Sequence, residues 1–256
     1  MDVKNKCCIV TGASTGIGFE LAKMMARQGA RVLAVARRTD SIRNAGIEGL
    51  FPFSADLSRK DGVDAMFAEV LVRLGDIDIF AANAGFAYCE RTDHPDWNHI
   101  SSIFELNVVS PVYCFEKLRA LKENAPFLFV STASAMSFMS LPGYAVYGAT
   151  KAAVRMFNRT AAYELSPGQR VATVYPIATW TNFFNRASTE YVPWPSQKPE
   201  KVAAAILRGI QSGQTSIFPF PAFRLANAVF TLLPFARRIY LKSEWKRTGL
   251  QKGRTS

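Results

Sequence analysis

Histidine and cysteine, the side chains that most often bind transition metals or form disulfides, are scarce in this sequence. It has two histidines, His94 and His99, and four cysteines among 256 residues. Neither histidine has partners at the spacing of a metal site, so we expect no bound metal. Two cysteines, Cys7 and Cys8, are adjacent in an apolar segment, and the other two lie far apart. This pattern is not a disulfide framework, and it indicates reduced thiols in a reducing compartment.

Secretion signals and membrane spans are also missing. The first residues lead directly into an apolar segment that is too short for a signal peptide and has no cleavage pattern, so we expect a cytoplasmic protein. A second apolar stretch, Ile217–Phe235, is interrupted by Arg224. The uncharged run that remains has about a dozen residues, fewer than the roughly 20 that a bilayer requires.

Acidic residues are outnumbered: 20 Asp and Glu stand against 31 Lys and Arg, for a formal net charge of +11. The basic excess is concentrated late in the chain, at Arg237, Arg238, Lys242, Lys246, Arg247, Lys252 and Arg254. Such a segment suits acidic surfaces in general, including phospholipid headgroups. No nucleic-acid-binding module and no face of combined aromatic and basic residues is present, so we expect no nucleic-acid partner.

What the sequence does contain is a regular alternation of apolar, β-branched runs with helical patterns. The predicted strands are Cys7–Thr11, Arg31–Ala36, Leu50–Ser54, Ile77–Ala81, Phe127–Ser131, Arg170–Tyr175 and Ser216–Phe218. The predicted helices lie near Gly18–Gln28, Arg59–Leu74, Trp97–Leu121, Tyr144–Leu165 and Pro199–Gln211. We therefore predict one α/β domain over residues 1–256. Its core is a Rossmann-type, doubly wound parallel sheet of about seven strands with helices on both faces.

Residues 179–198 interrupt this alternation with a long irregular segment. It is rich in aromatic residues and proline, namely Trp180, Phe183, Phe184, Tyr191, Pro193, Trp194 and Pro195. Long loops within compact domains are uncommon and often act as lids over a binding site. We predict a lid here, and its aromatic content favours a lipophilic ligand.

The first predicted strand runs into a glycine-rich turn and then a helix, the arrangement that binds dinucleotide phosphates. Gly12 allows a tight turn, Gly16 lets the backbone approach a pyrophosphate, and Gly18 allows the helix to pack closely on the strand. The helix N-terminus, at Ile17, then faces the negative phosphates. The hydroxyls of Ser14 and Thr15 can add contacts to phosphate.

A second group of residues carries chemistry rather than binding. Tyr147 and Lys151 are four residues apart in a predicted helix, so their side chains share one face. A free tyrosine has a pKa of about 10 and is a poor base at neutral pH. A nearby ammonium stabilises the phenolate, and we expect Lys151 to lower the pKa of Tyr147.

The wide glycine spacing T-G-x-x-x-G-I-G and the Tyr-x-x-x-Lys pair together resemble the short-chain dehydrogenase/reductase family, from about Lys4 to Gln211. The resemblance implies NADP(H)- or NAD(H)-dependent hydride transfer between a carbonyl and an alcohol. It implies that Tyr147 transfers the proton and that Lys151 also binds the nicotinamide ribose. Family spacing selects Ser134, over Ser131 and Thr132, to hold the carbonyl oxygen.

The resemblance assigns further positions. Asn107 matches the asparagine that relatives use to hold a water linked to the lysine. Asp56-Leu57 matches the position that binds the adenine amino group, and Asn83-Ala84-Gly85 resembles the motif that passes beside the ribose. Relatives also have Pro-Gly and then a threonine that contacts the nicotinamide. Here Pro176 and Thr181 are present, but Ile177 replaces the glycine, which puts the local backbone conformation in question.

The choice between the two nicotinamide cofactors depends on the end of the second strand. It reads Ala36-Arg37-Arg38, without the acidic residue that usually binds the ribose of NAD. An arginine suits a 2′-phosphate, so Arg37, assisted by Arg38, predicts NADP(H). The alternative is that both are solvated loop arginines.

The sequence therefore predicts a cytoplasmic NADP(H)-dependent oxidoreductase that reduces a lipophilic ketone or aldehyde. The resemblance also implies a homo-oligomer. The competing hypothesis is an NADP(H)-binding sensor or scaffold without turnover. Two interpretations of the C-terminal extension, residues 217–256, remain open. It is a helix that covers the active site or forms an oligomer contact, or an interfacial helix with a basic tail that makes a peripheral membrane contact.

Overall fold

The strands are runs of apolar residues in which nearly every side chain is buried. The computed structural model describes residues 1–93, 95–181 and 192–250. Within these ranges the strands are β1 (Cys7–Thr11), β2 (Arg31–Ala36), β3 (Leu50–Ser54), β4 (Ile79–Ala82), β5 (Phe127–Thr132), β6 (Gln169–Val174), β7 (Ala178–Thr179), β8 (Ser196–Gln197) and β9 (Ser216–Ile217). The largest departure from the predicted limits is at β4, which begins at Ile79 rather than Ile77.

Seven strands of the described ranges form one sheet in the order β3-β2-β1-β4-β5-β6-β9, and every pairing in it is parallel. The order reverses between β1 and β4, where the carboxyl ends of the strands form the crevice in which open α/β sheets bind ligands. β7 and β8 make a separate parallel pair, joined by a bond from the Trp180 N–H to the Gln197 carbonyl (2.9 Å). This pair formed part of the predicted lid; residues 182–191 of that lid lie outside the described ranges.

Helices cover both faces of the sheet, as predicted. They are α1 (Gly16–Arg27), α2 (Asp40–Asn44), α3 (Lys60–Leu74), α4 (Trp97–Phe104), α5 (Ser110–Lys122), α6 (Ala145–Ala161), α7 (Pro199–Gln211), α8 (Ala222–Leu232) and α9 (Pro234–Arg247). The predicted single helix Trp97–Leu121 is divided, because a π-helical turn at Glu105–Val109 connects α4 to α5. Such turns contain one extra residue and are frequent at functional sites.

The two faces of the sheet pack into separate apolar cores. Cys8 and Val10 lie in the core that β1 shares with α1 and α7, whereas Cys7 and Ile9 lie in the core beneath α3 and α5. Alternate residues of a strand point to opposite faces, which explains why the adjacent cysteines are both buried yet do not pair. Burial on both faces also explains why β1 is apolar throughout rather than alternating.

The C-terminal extension forms the helices α8 and α9. Tyr240 and Leu241 of α9, together with Leu250, pack against a small apolar cluster that includes Leu141 and Tyr144. No helix among the described residues is long and apolar enough to cross a bilayer. Residues 251–256, which carry Lys252 and Arg254 of the basic tail, lie outside the described ranges.

Candidate active site

A cleft of about 450 Å³ opens at the carboxyl ends of β1, β4 and β5. Most residues predicted to bind a cofactor or to act on a substrate line it. These are Gly12, Ser14, Thr15, Gly16, Ile17, Arg37, Arg38, Asp56, Leu57, Asn83, Ala84, Gly85, Ser134, Tyr147, Lys151, Pro176 and Thr181. The structure therefore brings the predicted binding turn and the predicted proton-transfer residues into one cavity. Gly18 and Asn107 do not line the cleft. They contact residues that do or that adjoin it.

The glycine turn between β1 and α1 has a backbone that only glycine adopts easily. Gly12 and Gly16 have φ angles of +67° and +61°, in the left-handed region. A Cβ atom on Gly12 would lie 2.8 Å from the Cα of Ala84. The turn thus packs closely against the chain that follows β4, and its residues line the cleft.

Packing behind the turn fixes its position relative to β4. A Cβ on Gly18 would lie 2.5 Å from the Gly12 carbonyl oxygen and from the Asn83 Nδ2 atom. The Thr11 hydroxyl oxygen accepts hydrogen bonds from the backbone N–H groups of Asn83 (2.9 Å) and Ala84 (3.0 Å). Gly18 therefore allows the close contact of helix and strand that its place in the motif predicts.

Exposed charges surround the outer end of the cleft. Arg37 and Arg38 follow β2, and Asp56 follows β3 on the neighbouring strand. Burial tends to raise the pKa of Asp56, but hydrogen bonds from Ser58 and the positive charges of Arg37 and Arg59 outweigh it and lower that pKa. Asp56 is therefore ionised, and the two arginines make this end of the cleft positive.

At the other end of the cleft, Tyr147 lies on the first turns of α6 and is 8% exposed. Ser134 follows β5 and hydrogen-bonds the Tyr147 hydroxyl. The Ser134 hydroxyl oxygen also accepts from the backbone N–H of Met136 (3.1 Å), which fixes its orientation. Ser131 is buried outside the cleft, and Thr132 uses its hydroxyl on Asn83 (3.4 Å). Among the three rivals, Ser134 is the one that contacts the tyrosine.

Lys151 is 4% exposed and donates a hydrogen bond to the Thr132 carbonyl oxygen (2.9 Å). Its Nζ atom lies 5.7 Å from the centre of the Tyr147 ring. Desolvation by burial lowers the pKa of Lys151 to about 8, because a buried ammonium loses its hydration.

Burial acts on Tyr147 in the opposite direction. It raises the pKa of Tyr147 to about 12, and the hydrogen bond from Ser134 opposes this only in part. We expected Lys151 to lower the pKa of Tyr147, so the direction that the protein's own groups produce differs from our prediction. The physical reason is that loss of hydration dominates for a phenolate in a buried site. Tyr147 is therefore protonated at neutral pH.

Asn107 is 1% exposed and lies in the π-helical turn between α4 and α5. Its Oδ1 atom accepts from the Phe86 N–H (3.1 Å), and its Nδ2 atom donates to the Phe86 carbonyl (2.9 Å) and to the Thr150 hydroxyl oxygen (3.1 Å). Thr150 in turn donates to the Tyr147 carbonyl (2.7 Å). Asn107 thus connects the chain after β4 to the helix that carries Tyr147.

Gly85 marks the point where Asn107 and Lys151 approach each other. A Cβ on Gly85 would lie 3.0 Å from the Asn107 Oδ1 atom and 3.4 Å from the Lys151 Nζ atom. The absence of a side chain at Gly85 therefore leaves room for both polar groups at the wall of the cleft.

The segment after β6 closes the remaining side of the cleft. The Pro176 carbonyl accepts from the Ala135 N–H (2.8 Å), and the Ile177 carbonyl accepts from the Thr179 hydroxyl (3.0 Å). Among the described non-glycine residues, only Asn5 and Glu123 have a positive φ angle. Ile177 therefore replaces the expected glycine without left-handed strain. The Thr181 methyl group lies against Gly16, since a Cβ atom on Gly16 would be 2.8 Å from Thr181 Cγ2.

Several lining residues were not predicted from the sequence. They are Val35, Ala36, Ala55, Leu106, Thr132, Ala133, Met136, Ile177, Ala178 and Thr179. Most are small or apolar residues at strand ends, where the sequence offers no chemical signal. The sequence points to Thr132 only through its hydroxyl, whereas in the structure its carbonyl oxygen accepts the hydrogen bond from Lys151. Thr132 is the last residue of β5, and its place at the carboxyl end of a strand is the sequence signal that could have predicted its position in the cleft.

Beyond Tyr147 the cleft adjoins the apolar cluster packed under α9. Tyr147 belongs to this cluster together with Ala87, Cys89, Leu141 and Tyr144. Val192, at the described end of the predicted lid, also packs on it. The surroundings of the tyrosine are therefore apolar on the side away from the glycine turn.

Comparison with known proteins agrees with this geometry. Residues 6–191 match the family model described as short chain dehydrogenase. A 3β-hydroxysteroid dehydrogenase of Mediterraneibacter gnavus is 29% identical over 197 residues, which are 72% of this chain and 70% of that protein.

Solved structures show the same fold with either form of the cofactor. A short-chain dehydrogenase from Sphingobium yanoikuyae in complex with NADPH has a TM-score of 0.76 and 25% identity, covering 98% of this chain and 97% of that one. One from Burkholderia phymatum in complex with NAD has a TM-score of 0.79 and 20% identity, covering 90% and 94%. Because the family model matches well over half of its length, the chain belongs to the short-chain dehydrogenase family of oxidoreductases.

Proposed function

We propose that this protein is an NADP(H)-dependent oxidoreductase that reduces a lipophilic ketone or aldehyde to the alcohol. One observation carries the proposal: the protonated, Ser134-bonded hydroxyl of Tyr147 and the glycine turn at Gly12 and Gly16 share a single cleft. A dinucleotide that lies along such a cleft places its reactive end beside a proton donor.

The residues at the glycine-turn end fit the phosphates of a dinucleotide. The left-handed backbone of Gly12 and Gly16 leaves the space that a Cβ would fill, and the N-terminus of α1 favours negative charge. The exposed guanidinium groups of Arg37 and Arg38 support binding of a 2′-phosphate, and hence preference for NADP(H). When bound, the reduced cofactor supplies hydride to the carbonyl carbon.

Proton transfer falls to Tyr147. Its raised pKa keeps the hydroxyl protonated at neutral pH, so it can donate to the carbonyl oxygen as negative charge develops there. Ser134, already bonded to Tyr147, also reaches that oxygen and stabilises it. In the reverse direction the deprotonated form of Tyr147, stabilised by Lys151, accepts the proton from an alcohol.

Lys151 and Asn107 assist Tyr147 without donating the proton themselves. The pKa of Lys151, lowered to about 8, leaves its ammonium mostly protonated at neutral pH, where it favours the phenolate that forms when Tyr147 donates its proton. Its place beside Asn107 at Gly85 supports a relay that returns a proton from solvent. Asn107 is a positioning residue, since it bonds Phe86 and Thr150 rather than the cleft.

The apolar cluster around Tyr147 supports a lipophilic substrate such as a fatty aldehyde, a retinoid or a sterol-like ketone. The name of the Mediterraneibacter gnavus relative, a 3β-hydroxysteroid dehydrogenase, is consistent with that class. We further propose that the enzyme works in the cytoplasm as a homo-oligomer. A peripheral membrane contact, one of the two interpretations that the sequence leaves open for the C-terminal extension, does not enter the reaction.

The direct test is a substrate screen with NADPH and NADH side by side. Oxidation of the cofactor is followed at 340 nm with steroid ketones, retinal, long-chain aldehydes and, as polar controls, sugars. We expect turnover with the apolar carbonyls and a higher kcat/KM with NADPH. A clear preference for sugars would overturn the substrate class, and a preference for NADH would overturn the cofactor assignment.

A further inference from the structure

Helix α8 has large apolar side chains on the side that faces away from the sheet. Leu225, Val229 and Leu232 are 71%, 39% and 78% exposed. They are three or four residues apart, so they share one face of the helix. Phe223, on the opposite side of α8, is 6% exposed and packs into the protein. The apolar outer face of α8 is therefore additional to the face that stabilises the fold.

Helix α9 also has large apolar side chains on its exposed side. Phe235 and Ile239 are 62% and 66% exposed and are four residues apart. On the inner side of α9, Tyr240 stacks on Phe230 of α8, with ring centres 5.5 Å apart. The two helices are thus joined through their inner sides and leave an apolar outer surface, which we name the α8–α9 face.

Positive charge lies next to this face. The exposed cations include Arg224 on α8 and Arg238, Lys242 and Lys246 on α9. Lys242 and Lys246 follow Ile239 by three and seven residues, so they extend the same stripe of α9. Between residues 212 and 250 the sequence has one acid, Glu244, which is 2% exposed and paired with Arg247 (2.9 Å). Within residues 212–250, therefore, no exposed acid offsets the cations.

We infer that the α8–α9 face docks on the surface of an anionic phospholipid bilayer. Exposed leucine, phenylalanine and isoleucine enter the boundary between headgroups and acyl chains, while neighbouring lysine and arginine side chains reach up to the phosphates. A second copy of this chain fits the face less well, because a two-fold contact would bring the cations of one copy against those of the other. Docking of this kind does not depend on the reaction proposed above.

Vesicle flotation of the full chain tests this inference, without cofactor or substrate. The vesicles are phosphatidylcholine alone or phosphatidylcholine mixed with phosphatidylserine. We expect binding to the mixed vesicles and much weaker binding to phosphatidylcholine alone. In the triple variant Arg238→Gln/Lys242→Gln/Lys246→Gln, each lost charge lowers partitioning about fivefold, or roughly a hundredfold together.

The apolar part of the face is tested with Leu232→Ser/Phe235→Ser/Ile239→Ser, which should abolish flotation. Control variants alter exposed residues elsewhere: Val72→Ser/Met156→Ser for apolar area, and Arg27→Gln/Lys201→Gln/Arg208→Gln for charge. Both controls should float like the unmodified protein, and thermal melting verifies that every variant is folded.

Two results would overturn the inference. One is flotation that the apolar and charge variants leave unchanged. The other is absence of flotation of the unmodified protein. If the mass measured by light scattering also falls when the α8–α9 face is altered, the face is assigned to a contact with a second copy. Because the assay measures binding and not turnover, its failure is distinguishable from failure of the proposed reaction.

Discussion

The two ends of the cleft differ in whether backbone or side chains form them. At the glycine-turn end the shape comes from backbone, from Gly12 and Gly16 in the left-handed region, and the charge comes from the exposed arginines Arg37 and Arg38. At the tyrosine end the chemistry comes from side chains that are almost fully buried, Tyr147 at 8% and Lys151 at 4% exposure. The glycine-turn end selects a ligand by shape and charge where solvent is present. The tyrosine end changes proton affinities by excluding water.

This contrast predicts that a change at the tyrosine end acts on rate, whereas one at the glycine-turn end acts on affinity. The largest effect is expected for Tyr147→Phe, which removes the proton donor but keeps the ring. We expect kcat to fall by about 10²- to 10⁴-fold while the Kd for NADPH changes little. Steady-state kinetics and fluorescence titration of NADPH measure the two quantities.

The matched control for that variant is Tyr163→Phe, which removes the same hydroxyl from a side chain that is 93% exposed just beyond α6. It should behave like the unmodified enzyme. Turnover that survives in Tyr147→Phe would remove our assignment of the proton donor. The sensor hypothesis would instead be favoured if the unmodified protein bound NADPH but turned over no carbonyl substrate.

The next effect concerns stability at the buried lysine. Since the folded-state pKa of Lys151 is lowered from 10.5 to about 8, the unfolded chain binds more protons than the folded one between these pH values. The lysine therefore lowers the free energy of unfolding below pH 8, and this loss is recovered as the pH rises towards 10.5. Lys151→Met should raise the free energy of unfolding at pH 7 by up to about 3 kcal/mol, at 1.36 kcal/mol per pKa unit.

Urea denaturation at pH 7 and at pH 10 measures this difference, which should shrink at the higher pH. The control is Lys122→Met, because Lys122 is also buried but is ion-paired with Asp76 at 2.7 Å. Removing that partner should destabilise the protein instead. A stability gain in Lys151→Met that is the same at both pH values would contradict the role we give to burial.

At the glycine-turn end, Gly12→Ala tests whether close packing shapes the binding site. Gly12 and Gly46 have similar φ angles, +67° and +58°, but a Cβ on Gly46 meets nothing within 4 Å. Both alanine variants should lose about 1–2 kcal/mol through the left-handed backbone. Gly12→Ala should lose about 1–3 kcal/mol more, because its Cβ would lie 2.8 Å from Ala84, and should bind NADPH more weakly.

Thermal melting and NADPH titration compare these two variants directly. If Gly12→Ala and Gly46→Ala lost the same stability and the same affinity for NADPH, the contact between the turn and Ala84 would have no influence on the site.

The smallest effect is expected for Arg37→Gln/Arg38→Gln, since both side chains are exposed and screened by solvent. The ratio of kcat/KM for NADPH to that for NADH should fall about tenfold, mainly through KM for NADPH. Arg43→Gln, which alters an exposed arginine on the neighbouring α2, is the control and should leave the ratio unchanged. A ratio that stays constant in the double variant would mean that these arginines are only solvated loop residues.

The difference between the two ends also explains what the sequence could predict. Strand limits, the glycine turn and the place of Arg37 follow from local patterns, and the structure has them within two residues. The tyrosine end depends on contacts between distant segments. The bond from Lys151 to the Thr132 carbonyl and the burial that reverses the expected pKa shift of Tyr147 arise only when β5 and α6 meet. Neither leaves a pattern in the residues themselves.

The π-helical turn at Glu105–Val109 has a consequence for how such a site can change over time. A turn of this kind is an ordinary helix with one inserted residue. Deleting one residue from it would restore a regular helix and remove the wide turn in which Asn107 lies. Asn107 would then leave Phe86 and Thr150 although no side chain near the cleft had been replaced. The alignment of this wall is thus encoded in chain length, and single-residue deletions rather than substitutions are the changes to which it is most vulnerable.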